Sequence, residues 1–242
     1  MNMRFSRNDI EQKAKCFRVR MGLNTTEAID VKTILRKNNI LTVYLPMSKD
    51  ACGLSLQSPE KDKFILVNSK ISKGRQHFTI AHELYHLYYD EYPHPHICFK
   101  DGISNTERAA NCFASALLMP EEGVIGLIPE SILKEKNLPL SIVLRLEQYF
   151  RVSRSALLYR LKELKLLEER KLQEYLSLPV KQTALEYGYD TTLYSPGNEN
   201  LVIGDYGEKA RLLYENDLIS EGHYEELLNK IQDGKEENSF RC

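Results

Sequence analysis

At 242 residues, with 42% hydrophobic and 28% charged side chains, the chain has an ordinary globular composition and length for one large domain or two small ones. A net charge of −1 excludes a general pull toward nucleic acid or membrane, no run of about 18 apolar residues offers a membrane span, and the N-terminal MNMRFSRNDIEQKAKC lacks the apolar core of a secretory signal. Five cysteines (Cys16, Cys52, Cys98, Cys112 and Cys242), odd in number and without a C-x-x-C, fit reduced thiols in a cytoplasmic protein.

Residues 8–21 read as a helix, capped by Ser6 or Asn8 and stopped by Gly22, with Ile10, Ala14, Phe17 and Met21 forming a core-facing stripe. A second helix follows Asp30, carries Val31, Ile34 and Leu35, and ends at Asn38-Asn39. Three short apolar or alternating runs come next: Ile40 to Leu45, Gly53 to Gln57 and Phe64 to Asn68. Turn-prone stretches at Lys49-Asp50 and Ser58-Pro59 separate them, which predicts a small antiparallel or mixed sheet. Residues 53–57 are the expected edge, where an extended peptide would pair.

The sheet leads into a helix predicted over 73–90, capped by Ser72 and ended by Pro93 and Pro95. It carries HELYH at 82–86. His82 and His86, four apart, share one helix face and can grip one Zn²⁺ from one side. Glu83, beside the first ligand, can take a proton from water at the metal; this is the H-E-x-x-H signature of zinc peptidases. The bland alternative is an exposed helix carrying two histidines.

Between this helix and the next lie His94 and His96, flanked by prolines. They read either as extra ligands or oxyanion donors, or as solvent-exposed side chains. Tyr88 and Tyr89 are open to oxyanion contact or plain aromatic packing, and Cys98 and Cys112 to metal ligation or burial as small apolar residues. A helix over about 105–119, stopped by Pro120, places Glu107 in its first turn. Glu107 is the candidate third protein ligand of an open zinc site. Ser104-x-x-Glu107 equally fits a capping box, so both readings stand on local sequence. Asn111, one turn on, is placed to hydrogen-bond a ligand histidine and fix its tautomer.

HELYH followed by E-x-x-A-N-x-F-A-x-x-L-L-M-P, with the lead-in R-Q-H-F-T-I-A-H-E at 75–83, resembles the ImmA/IrrE family of metallo-endopeptidases. The resemblance implies that His82, His86 and Glu107 bind zinc and that Glu83 is the catalytic base. Tyr85 departs from the family, where Gly is frequent; it faces away from the metal side, so altered packing is expected. The implied fold is α+β and predominantly helical. A zincin-like peptidase core over 1–139 is followed by a helix-turn-helix-like segment over 140–170, an irregular connection over 171–200 and an acidic helical tail over 201–242. The implied substrate is a helix-turn-helix repressor of the XRE type, cut to relieve repression in a mobile element or stress response.

Beyond Pro120, residues 141–150 and 153–168 read as two amphipathic helices joined by a tight turn at Arg151-Val152, with Ser153 capping the second. The pattern F-x-V-S-x-x-A-L-x-x-R-L looks like a helix-turn-helix and would present Arg154, Tyr159 and Arg160 outward. Eight Lys/Arg against four Asp/Glu over 145–171 offer a modest surplus for phosphates. The family has such a segment as part of its peptidase fold, and packing is preferred here over DNA contact. The tail reads as a hairpin of helices, Lys209 to Glu215 and Ser220 or Glu221 to Ile231, with eleven Asp/Glu against four Lys/Arg over 199–238.

The leading reading is a cytoplasmic zinc endopeptidase acting on a protein substrate, with one Zn²⁺ per chain; mixed His/carboxylate sites also accept other divalent ions. Two rivals remain open. One is a DNA-binding transcription regulator with a structural metal, using Arg154 and Arg160 on phosphates. The other is the peptidase half of a toxin–antitoxin-like pair.

Overall fold

The computed structural model describes residues 6–90, 96–99, 104–135 and 138–232, with side-chain positions for all of these but 96–99, 135 and 230–232. In chain order, α1 (Arg7–Arg20) and α2 (Val31–Lys37) precede strands β1 (Ile40–Leu45), β2 (Ala51–Gln57) and β3 (Lys63–Asn68). The long helix α3 (Lys73–Tyr89) follows, then β4 (His96–Phe99) and α4 (Asn105–Leu118). The short α5 (Glu121–Gly126) and α6 (Glu130–Glu135) lead to α7 (Leu140–Phe150) and α8 (Arg154–Glu163). The chain then passes through α9 (Glu169–Ser177), α10 (Val180–Glu186), β5 (Val202–Ile203), α11 (Tyr206–Glu215) and α12 (Glu221–Gln232).

The architecture is α+β and predominantly helical, as expected. The sheet is mixed, in the order β4-β2-β3-β1-β5. β1 and β3 run parallel, with Ile40 opposite Lys63, while the β2–β3, β2–β4 and β1–β5 pairs are antiparallel. This corrects one expectation: β2 is not an edge, because β4 pairs along it, Leu54 opposite Ile97. The run that supplies β4 lies in the proline-bounded loop, where no alternating pattern announces a strand. β5 was equally silent in sequence. It brings the chain back to β1 after helices α4 to α10, so the sheet gains its last strand only when residues 201–203 have returned.

The α1 stripe is buried as the spacing predicts: Ile10, Ala14, Phe17 and Met21 all lie in the main core with α3 and α4. α4 presents Ala109, Ala110 and Ala114 there, and these small side chains let it pack closely on α1 and α3. α3 lies on the sheet through a contact that only glycine permits. A Cβ on Gly53 of β2 would stand 2.5 Å from Thr79 Cγ2 and 2.9 Å from the Leu66 carbonyl oxygen.

Two further expectations change. The helix predicted over 153–168 ends at Glu163, because Lys165 takes a left-handed φ of 60° and turns the chain into α9. The stretch 171–200 is not irregular throughout: it holds most of α9 and all of α10, with Leu172, Tyr175 and Ala184 buried. Pro179 breaks the run but also starts α10, a role its φ suits. α7 and α8 share the main core with α1, α3 and α4. No helix of the described residues is long and apolar enough to cross a membrane.

A candidate metal centre

α3 is buried along almost its whole length, and its residues 82, 83 and 86 are polar in an otherwise apolar setting. The i, i+4 spacing sets the two imidazoles side by side, tilted, with ring centroids 4.9 Å apart. α4 crosses beside them and brings Glu107 from its first turn. Of the capping box only the serine half forms, and the Glu107 side chain goes to the histidines instead. Its backbone N–H donates to the Ser104 hydroxyl at 3.1 Å, as a cap requires, while its carboxylate turns to the histidines.

Donor atoms of three residues converge. His82 Nε2 lies 3.1 Å from His86 Nε2 and 3.3 Å from Glu107 Oε2, and His86 Nε2 lies 3.4 Å from Glu107 Oε1. For ligands at roughly 2.0–2.1 Å from a zinc ion, the edge of a tetrahedron is about 3.3–3.4 Å. The donor set therefore fits a tetrahedral divalent metal with one position left for water. His82, His86 and Glu107 form the one His/Cys/Asp/Glu group among the described residues with this geometry, and all three are buried.

The outer nitrogens of the imidazoles are also committed. His82 Nδ1 lies 3.0 Å from Asn111 Oδ1, and His86 Nδ1 lies 2.6 Å from Asp90 Oδ2. Both partners accept, so each Nδ1 carries the proton and each Nε2 directs a lone pair inward. With both rings neutral these lone pairs and the carboxylate repel, and either a metal ion among them or a proton on the His82 imidazole relieves the repulsion. Burial alone lowers the His82 pKa. The hydrogen bond to Glu107 and the charges of Glu83 and Glu107 outweigh it and hold that imidazole above its ordinary 6.5.

Glu83 is fully buried, and a Cβ on Gly53 would stand 3.5 Å from its Oε1, so its carboxylate abuts the middle of β2. Tyr85 packs on Phe113 and Tyr89 and meets the His86 ring edge-on at 5.9 Å, so the departure from the family pattern is a matter of packing. Tyr89 donates its hydroxyl to the Lys13 carbonyl, and Tyr88 meets the Phe17 ring edge to face. Both tyrosines follow the packing reading. His94 and the side chains of His96 and Cys98 lie outside the described residues. Cys112 is buried, and burial pushes its thiol pKa up.

The outward placement of Arg154 and Arg160 is overturned. Their side chains are 3% and 0% exposed. Arg154 pairs with Glu147 and donates to Thr183 at 3.0 Å; Arg160 pairs with Glu11 and donates to the Met119 carbonyl at 2.9 Å. Amphipathic spacing marked them as polar, but carboxylates on other helices, Glu147 of α7 and Glu11 of α1, draw them inward. Tyr159 is exposed, as predicted. The turn before α8 is pinned to α3: a Cβ on Gly74 would stand 2.8 Å from the Ser153 nitrogen, and His77 Nδ1 meets the Arg151 carbonyl at 2.9 Å.

Sequence reading missed Asp90 and Gly53. Asp90 follows His86 at i+4, the spacing that links His82 to His86, so its helical register was a usable signal. Gly53 carried none, because its role depends on how α3 crosses β2.

Compared with known protein families, residues 35–162 match the family model described as IrrE N-terminal-like domain, a peptidase family. The matched interval contains His82, Glu83, His86, Glu107 and Asn111 and runs on through α7 and most of α8. Among curated proteins the chain finds no match.

Proposed function

The chain belongs to the IrrE N-terminal-like peptidase family, and from that premise we propose a zinc-dependent endopeptidase of the cytosol that cuts a helix-turn-helix repressor. The observation that carries the metal and the chemistry is the convergence of His82, His86 and Glu107 with Glu83 next to the first of them on α3. In this reading the three converging residues hold the ion. A bound zinc supplies a Lewis acid for the scissile carbonyl and brings the pKa of water in its open position to about 7.

Glu83 accepts the proton from the attacking water and delivers it to the departing amine. Its burial against β2 keeps competing water away and fixes the carboxylate on one helix face. Asn111 and Asp90 hold the imidazoles in the tautomer that leaves Nε2 inward. The substrate class rests on the family alone, and the cytosolic setting on the scattered, odd-numbered cysteines.

The DNA-binding alternative loses its main support once Arg154 and Arg160 are buried in ion pairs and the turn before α8 is pinned against Gly74. The test is cleavage of purified helix-turn-helix repressors by the metal-loaded chain, with fragments identified by mass spectrometry. Glu83→Gln is expected to keep its metal and cut about 10²–10⁴-fold more slowly. Undiminished cutting by that variant contradicts the proposal.

A further inference from the structure

A cavity of about 570 Å³ lies between α3, α4 and α8, bounded at one end by His82 and its partner Asn111. α8 supplies the opposite wall, including Ser155 and Tyr159, so the helix-turn-helix-like unit faces this space. Among the described residues, three arginines line it, Arg7, Arg75 and Arg108, against one carboxylate, Glu163. Arg7 and Glu163 neutralise each other at a closest approach of 2.5 Å. Arg75 reaches the Cys52 sulfur at 3.8 Å, a weak contact for a guanidinium. Among the described residues, neither Arg75 nor Arg108 has a carboxylate within ion-pair distance.

Arg75 is half-buried and Arg108 exposed, and each guanidinium offers a planar fork suited to a carboxylate. The volume suits one or two side chains of a bound peptide. The cavity meets the metal centre at His82 and at Asn111, which holds the outer nitrogen of that imidazole, so an occupant lies beside the centre.

We propose that this cavity is a substrate subsite that reads a carboxylate, with Arg75 and Arg108 as its anchors and α8 as its wall. An aspartate or glutamate side chain of an extended peptide is the carboxylate favoured here, because the reading under Proposed function, on which this subsite rests, is of an endopeptidase. The chain-terminal carboxylate of a peptide is the second source. The subsite also gives α7–α8 a role other than DNA contact.

The test uses the full chain and matched peptides carrying Asp or Asn at successive positions, plus a set with a free or amidated C-terminus. Binding is read by fluorescence anisotropy on zinc-loaded Glu83→Gln, and cleavage by mass spectrometry on the zinc-loaded wild type. The expected result is a preference for Asp over Asn of roughly 10- to 100-fold at one position. Arg75→Gln and Arg108→Gln should bring that ratio toward one, while Arg75→Lys and Arg108→Lys keep part of it.

Cutting without acid preference, or a preference that neither arginine variant changes, overturns the subsite and leaves the peptidase intact. Arginine-dependent binding of Asp peptides with no cutting of any peptide keeps the carboxylate site and overturns the peptidase reading. A preference confined to the free C-terminus supports the carboxylate site and identifies it as a reader of chain ends. Displacement of bound peptide by inorganic phosphate, without any Asp preference, overturns the subsite in favour of a small-anion effector site.

Discussion

At the scale of single residues, the two imidazoles differ in what holds them. His82 leans on a neutral amide at 3.0 Å and His86 on a carboxylate at 2.6 Å. Removing either support frees a ring to rotate and to bond through the wrong nitrogen. Asn111→Ala and Asp90→Ala are each expected to weaken zinc about 10- to 100-fold, measured by chelator competition, with the helical circular dichroism spectrum unchanged.

Protonation adds a second test at this scale. The His82 pKa is held above 6.5, so without metal its proton stabilises the fold fully below about pH 6.5 and is lost as pH rises through the raised value. Metal needs the deprotonated ring, so its stabilisation runs the other way. The shift in melting temperature on adding zinc should grow from pH 6 to pH 8; a shift that shrinks contradicts this account. The three defined residues of H-E-x-x-H were legible because helix periodicity and zinc chemistry leave few alternatives at that spacing, whereas Glu107 stayed open between ligand and cap until the family resemblance was added. Arg160 was misread because its pairing with Glu11 of α1 leaves no local trace, and Arg154 because its pairing with Glu147 depends on how α7 and α8 pack.

Among the elements, the site depends on how closely α3 lies on β2. Gly53→Ala places a methyl group 2.5 Å from Thr79 Cγ2 and 2.9 Å from a carbonyl oxygen. It should destabilise the chain by about 1–3 kcal/mol and lower zinc affinity as well, because Glu83 and its neighbours shift. Urea unfolding and metal titration on one sample check both; a neutral effect on both would show that the helix has room.

The α7–α8 unit poses a different question. Glu147 pairs with Arg154 and accepts from Tyr194 at 2.7 Å, and burial still pushes its carboxyl above the usual range. Glu147→Gln leaves Arg154 buried without its counter-charge and should cost about 3–5 kcal/mol. The double change Glu147→Leu with Arg154→Met should cost far less than the sum of the single changes, as a double-mutant cycle in urea would show.

Helices with an unbroken apolar stripe, α1, α3, α4 and α7, were readable to within a residue or so at each end. β4, β5, α9 and α10 were not. They are short, and proline or tertiary pairing decides their limits rather than periodicity.

For the whole molecule, a functional core assembled from α1, α3, α4 and α8 means that residues far apart in the chain stabilise one centre. α1 sends Glu11 to Arg160, and the returning chain sends Asn198 to Gln76 of α3 at 2.7 Å. Metal bound only by the folded state should therefore stabilise the whole chain, not one segment.

The most direct measurement is metal content per chain by mass spectrometry, on wild type, Glu83→Gln and Glu107→Ala. The account predicts about one zinc in the wild type. That zinc stays in Glu83→Gln, whose side chain is assigned to proton transfer, and is lost or strongly reduced in Glu107→Ala. A folded wild-type chain that takes up no metal after zinc is supplied would contradict the assignment of His82, His86 and Glu107, and the peptidase mechanism with it.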